Sequence, residues 1–151
     1  IAPGRVIFVI DGSKSTKDRV AEITEAFKRL PGTIEVGVIV ASDNIAVLTE
    51  FVKPLDSSSI IAISDRLGKI PFDGGCDNVP ALSKAWELAS KSKNSAIVWI
   101  HGVQPVILSS TAALEQKLER RPDNPTLYDL QFTTGPNKII DELDELMCRE
   151  F

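Results

Sequence analysis

Two unbroken apolar runs dominate the pattern, VIFVI at 6–10 and AIVWI at 96–100. Each is short and rich in β-branched residues, which predicts strands buried on both faces. Elsewhere the apolar positions recur with a period. Val20, Ile23, Phe27 and Leu30 step by three and four, which predicts a helix over 16–30, stopped by Pro31-Gly32. Ile34, Val36, Val38 and Val40 alternate with their neighbours as strand 2. The turn Ser42-Asp43-Asn44 leads into strand-like 45–51, and so short a connection requires an antiparallel hairpin.

A second helix starts near Asp56-Ser57, shares Ile60, Ile63 and Leu67 on one face, and is ended by Gly68 and Pro71. After the loop 72–78, Pro80 suits the first turn of a third helix carrying Leu82, Ala85, Trp86 and Ala89. Beyond the second apolar run come an irregular loop at 103–109 and a helix over 111–120. An outer strand at 126–132 sets Tyr128, Leu130 and Phe132 against Asp129 and Gln131 on a wetter face. A last helix after Gly135-Pro136 presents Ile139, Ile140, Leu143 and Met147.

The order β-α-β-β-α-α-β-α-β-α predicts an α/β fold: a doubly wound, Rossmann-like open sheet with helices on both faces. Right-handed crossovers give five strands in the order 3-2-1-4-5, mostly parallel, with strand 3 antiparallel at one edge. The winding reverses between strands 1 and 4. Ligands bind at such a switch point, beyond the C-terminal ends of the strands.

Composition narrows the function classes. The 151 residues are 43% hydrophobic and 25% charged, which suits one domain over 1–151 with a full core. A net charge of −4 with no basic stripe argues against nucleic acid and anionic membrane as partners. No apolar stretch approaches the ~20 residues of a membrane helix, so direct membrane insertion is not expected. Cys76 and Cys148 give neither a disulfide framework nor zinc spacing. A start at Ile1 without methionine or signal-peptide layout is expected of a fragment of a longer protein.

The chemistry concentrates where strand 1 ends. Asp11-Gly12-Ser13-Lys14-Ser15 puts an acid and two hydroxyls at the switch point, between strand and helix. Asp-x-Ser-x-Ser in this setting resembles the von Willebrand factor type A domain, whose metal-ion-dependent adhesion site begins with this pattern. The resemblance implies a divalent ion, typically Mg²⁺, on Asp11, Ser13 and Ser15. It also implies a protein partner whose carboxylate the ion can take. Hard oxygen donors and retained waters suit Mg²⁺.

Two further family positions are altered. Gly74-Gly75-Cys76-Asp77-Asn78 has the form of the second loop, with Cys76 where the family has Thr. IVWIHG at 97–102 has the form of the fourth strand, with His101 where the family has Asp, and Pro105 follows as in many members. The resemblance therefore implies a degenerate site with Mg²⁺ or another divalent cation weak or absent. It leaves a binding rim of Gly12, Gly74, Gly75, Cys76, Asp77, His101 and Gly102. SAIVWIHGVQPV at 95–106, with TLYDLQ and GPN later, is similar to bacterial members. In those, this domain follows a vault-protein inter-alpha-trypsin domain in a larger, often membrane-attached protein. Partners on that view are another protein or other domains of the same chain.

Plainer roles stand beside these. Asp11 suits an acid bonding loop amides, and Ser15 with Asp18 has the form of a capping box. His101 suits a hydrogen-bonded structural histidine or a charge-assisted partner of Asp11. Cys76 suits a small buried group, and Trp86 and Trp99 suit the core. Two further functions stay open. One is a hydrolase with Cys76 and His101, for which the segment before Cys76 makes a poor strand. The other is a transition-metal domain using Asp11 and His101, with Cys76 as a further donor. No phosphate-binding glycine pattern follows strand 1, and the reading adopted is non-enzymatic.

Overall fold

Both apolar runs form central strands because helices cover both faces. A computed structural model of the chain describes residues 4–30, 34–41, 45–52, 57–72, 78–91, 94–102, 126–131 and 148–150. The strands are β1 (Arg5–Asp11), β2 (Glu35–Ala41), β3 (Ile45–Val52), β4 (Ser95–His101), β5 (Thr126–Gln131) and β6 (Cys148–Glu150). The helices are α1 (Val20–Phe27), α2 (Ser57–Lys69) and α3 (Val79–Ala89), with a 3-10 segment at Lys14–Arg19.

The sheet runs β3-β2-β1-β4-β5-β6. β1 is parallel to β2 and β4, with Val6 opposite both Val36 and Ala96, and β3 is antiparallel to β2. The predicted order 3-2-1-4-5 is present, and the predicted count of five is corrected to six. β6 joins the edge in parallel, pairing Cys148 with Leu127.

Alternation along β1 sorts the core into two layers. Val6, Phe8 and Ile10 pack with Ile23 and Phe27 of α1 and Ile63 and Leu67 of α2. The Phe8 and Phe27 rings meet edge to face, centroids 4.9 Å apart. Ile7 and Val9 face the other way, with Ile39, Ile97 and Trp99, onto Leu82, Ala85 and Trp86 of α3. By the same parity Asp11 and His101 extend the α3 side.

Three local expectations need correction. The helix expected over 16–30 is divided: Lys14–Arg19 is 3-10 and only Val20–Phe27 is α. The capping box of Ser15 and Asp18 is absent, because Ser15 lies inside the 3-10 segment and Ser13 precedes it. On β5 the buried apolar residue is Leu127, which joins the α3-facing layer of the core, whereas Leu130 is 36% exposed. The helices expected at 111–120 and after 136 lie outside the described residues, as does the loop 103–109.

Candidate functional site

Asp11 is the last residue of β1 and is 1% exposed. The strand continues its pairing as Gly12 donates its amide to the Ala41 carbonyl, 2.7 Å. A buried carboxylate needs hydrogen-bond donors around it. Ser13 Oγ donates to Asp11 Oδ2 at 2.6 Å, and the Ser13 amide approaches Oδ1 at 3.4 Å. From across the crevice Asn78 Nδ2 donates to Oδ1 at 3.0 Å.

Ser13 also lies 3.2 Å from Ser15 Oγ and 3.5 Å from Thr16 Oγ1. Ser13 is half-buried, Ser15 exposed and Thr16 buried. The three predicted first-loop residues are thus brought together. Neighbouring oxygens around an octahedral Mg²⁺ ion are about 3 Å apart, so Ser13 Oγ has suitable spacing to Asp11 Oδ2 and Ser15 Oγ. The loop oxygens therefore fit one edge of a hard-cation shell. They supply a single carboxylate, and the end of β4 presents an imidazole. No group of three or more His, Cys, Asp or Glu residues able to hold a metal occurs among the described residues.

Asn78 is wholly buried and stands at the N-cap of α3, with Pro80 in the first turn. An N-cap asparagine ordinarily bonds the amides of its own helix, worth roughly 1 kcal/mol. Here no such cap bond forms. The side-chain oxygen instead accepts Trp99 Nε1–H at 2.8 Å. Ser13, N-cap of the 3-10 segment, likewise makes no side-chain cap bond and serves Asp11.

His101 is fully buried, with its ring stacked on Trp99, centroids 3.7 Å apart at 21°. Its Nδ1 lies 2.6 Å from the Gly102 carbonyl oxygen. A carbonyl only accepts, so Nδ1 carries the proton. The expected charge-assisted pair of His101 with Asp11 is not formed: the Asp11 carboxylate bonds Ser13 and Asn78. The two residues are linked indirectly, through the contacts of Asp11 with Asn78, Asn78 with Trp99 and Trp99 with His101.

Gly74, Gly75, Cys76 and Asp77 lie outside the described residues. Gly12 and Gly102 flank the crevice at the ends of β1 and β4. The residue that local reading missed is Asn78 as a carboxylate partner. Its sequence setting, asparagine just before a Pro-containing helix, signals a helix cap, and its two long-range bonds leave no local trace.

No family model matches the chain, and no curated protein sequence does. Solved structures match in fold. A von Willebrand factor type A protein from Catenulispora acidiphila aligns with 99% of this chain at TM-score 0.70 and 14% identity. The chain covers 39% of that protein's length. The SpRpn10 VWA domain aligns with 99% of the chain, which covers 87% of it, at TM-score 0.64 and 14% identity. An aerotolerance-related membrane protein from Bacteroides fragilis aligns over 84% of the chain and 66% of its own length, at TM-score 0.55 and 17% identity. No helix among the described residues of this chain is long and apolar enough to cross a membrane. These likenesses extend over most of the chain, and the fold of this chain is that of the von Willebrand factor type A domain.

Proposed function

We propose that the chain is a non-enzymatic module for protein binding or assembly, with a divalent-metal site weakened or lost at the ends of β1 and β4. The observation that carries this reading is the setting of Asp11. Its carboxylate is buried and bonded by Ser13 and Asn78, and the neighbouring strand end offers His101 instead of a second acid. Neutral imidazole is a poor Mg²⁺ ligand, and protonated imidazole repels cations. An ion bridging to a partner's carboxylate is therefore disfavoured.

Of the rim expected from the sequence, Gly12, His101 and Gly102 are buried, so binding instead uses the surface above the crevice, where Ser13 is half-buried and Ser15 exposed, with residues 74–77 as its further part. The partner is another protein or another domain of the same longer chain. That longer protein is membrane-associated and bacterial on this reading, by analogy with the Bacteroides fragilis protein described as a membrane protein.

Calorimetry tests the metal half of the proposal. The expected result is no Mg²⁺ binding tighter than about 1 mM in the parent protein. His101→Asp, which restores the missing carboxylate, is expected to tighten Mg²⁺ binding by about tenfold or more. Micromolar Mg²⁺ affinity in the parent would refute the reading.

A further inference from the structure

Two helix-capping positions, Ser13 and Asn78, leave their own helices uncapped and turn to one carboxylate. The Asn78 contact is the more demanding. Trp99 Nε1 is a donor only, and an ionised Asp11 is an acceptor only. A single side chain joining them must accept at one end and donate at the other. The carboxamide does this, and its orientation is forced: Oδ1 toward the indole at 2.8 Å, Nδ2 toward the carboxylate at 3.0 Å. The reverse orientation would set N–H against N–H and oxygen against carboxylate.

This relay ties three elements together at the crevice, β1 through Asp11, the start of α3 through Asn78, and β4 through Trp99. All three side chains are at most 1% exposed, so water does not compete for the bonds. Trp99 also stacks on His101, extending the tie to the last residue of β4. With Nδ2 on Oδ1, the other oxygen of Asp11 is aimed at Ser13 Oγ, which in turn meets Ser15.

We propose that Asn78 is the positioning residue of this crevice: it orients Asp11 from the protein interior, so the Asp11–Ser13–Ser15 loop keeps its geometry with no divalent cation bound. The inference rests on the cation-poor reading above for its functional meaning. A neutral amide from α3 performs the orienting that an ion would otherwise perform from the solvent side.

The test reverses the polarity of the relay. In Asn78→Asp, two carboxylates face each other where an N–H···O bond stood. Adding Asp11→Asn restores both short bonds with the charges exchanged: Asn at 11 donates to Asp at 78, which accepts Trp99 as before. Thermal unfolding and amide and indole NMR spectra are recorded in EDTA at neutral pH. The expected result is a lower Tm for Asn78→Asp, with displaced Ser13, Ser15 and Trp99 indole resonances, and recovery of most of both changes in the double variant. A double variant no more stable than Asn78→Asp overturns the proposal, as do unmoved Ser13 and Ser15 resonances in Asn78→Asp.

If Asn78→Asp fails to fold, Asn78→Leu with Trp99→Phe removes the relay without leaving a buried unpaired indole. Displaced Ser13 and Ser15 resonances, with those of α1 unmoved, then support the proposal, and unmoved ones overturn it. Magnesium added to the parent is read separately. Displacement of Ser13 and Ser15 by millimolar Mg²⁺ counts against the cation-poor reading, while the EDTA spectra still decide the role of Asn78.

Discussion

Asn78 Oδ1 accepts the indole N–H of Trp99 at 2.8 Å, joining the start of α3 to the middle of the α3-facing side of β4. Both partners are fully buried, so removing either loses a hydrogen bond that water does not replace. Trp99→Phe is expected to destabilise the fold by about 1–3 kcal/mol, part from the lost buried hydrogen bond and part from lost packing. Urea unfolding measures it, and a change within error of zero would refute a contributing bond.

Phe27 belongs to the opposite layer, 1% exposed against Phe8. Phe27→Ala is expected to cost about 3–5 kcal/mol through lost burial and the cavity left behind. The resonances of α1 should shift in the folded variant while the Trp99 indole resonance holds its position, because Trp99 belongs to the α3-facing layer and the sheet separates the two layers. Comparable displacement at both sites would show that the layers are coupled.

Glu25 gives a pH and salt control. The Lys28 hydrogen bond, 2.7 Å, and the Lys28 charge hold its carboxyl below the ordinary carboxylate range, with a small opposing effect of burial and a further lowering by Arg29. A depressed folded-state value means the contribution is present above the unfolded carboxylate's titration and is lost as pH falls through the folded one. Both partners are more than half exposed, so salt screens the pair. Glu25→Gln should therefore differ little from the parent in Tm at neutral pH, and not at all in 1 M salt. A salt-insensitive loss would mean that Glu25 acts through packing.

Cys76 supplies the test of the non-enzymatic reading. A catalytic thiol needs a lowered pKa and a histidine partner within reach. His101 has its Nδ1 on Gly102 and its ring against Trp99. Turnover of an ester panel by the parent is expected to match that of Cys76→Ala and to stay at the buffer rate. Selective alkylation of Cys76 that abolishes measurable turnover would reverse the conclusion.

The readable part of this protein is what each strand or helix needs locally. Residues 6–10 and 96–100 announce two doubly covered strands because every side chain in them enters one layer or the other, and the periodicity of 57–69 follows from a single buried face, whereas β2, which alternates in sequence, is buried on both faces. The alternation of strands with helices then confined β1 and β4 to adjacent, parallel places, and with them the crevice that holds Asp11 and His101. Asp11, Ser13 and Ser15 were legible as a group because a single residue separates each from the next along one loop.

Other features depend on partners distant in the chain. β6, with only the residues Cys148–Glu150, has no apolar period of its own and is a strand because β5 offers an unpaired edge. Leu127 rather than Leu130 is buried because the register of β5 on β4 chooses the inward face. Asn78 reads locally as a helix cap, yet it bonds residues 67 and 21 positions away. A cap bond and a buried bond to a carboxylate compete for the same amide. The tertiary structure decides between them, because only the folded crevice brings Asp11 and Trp99 within reach and excludes the water that would otherwise serve them.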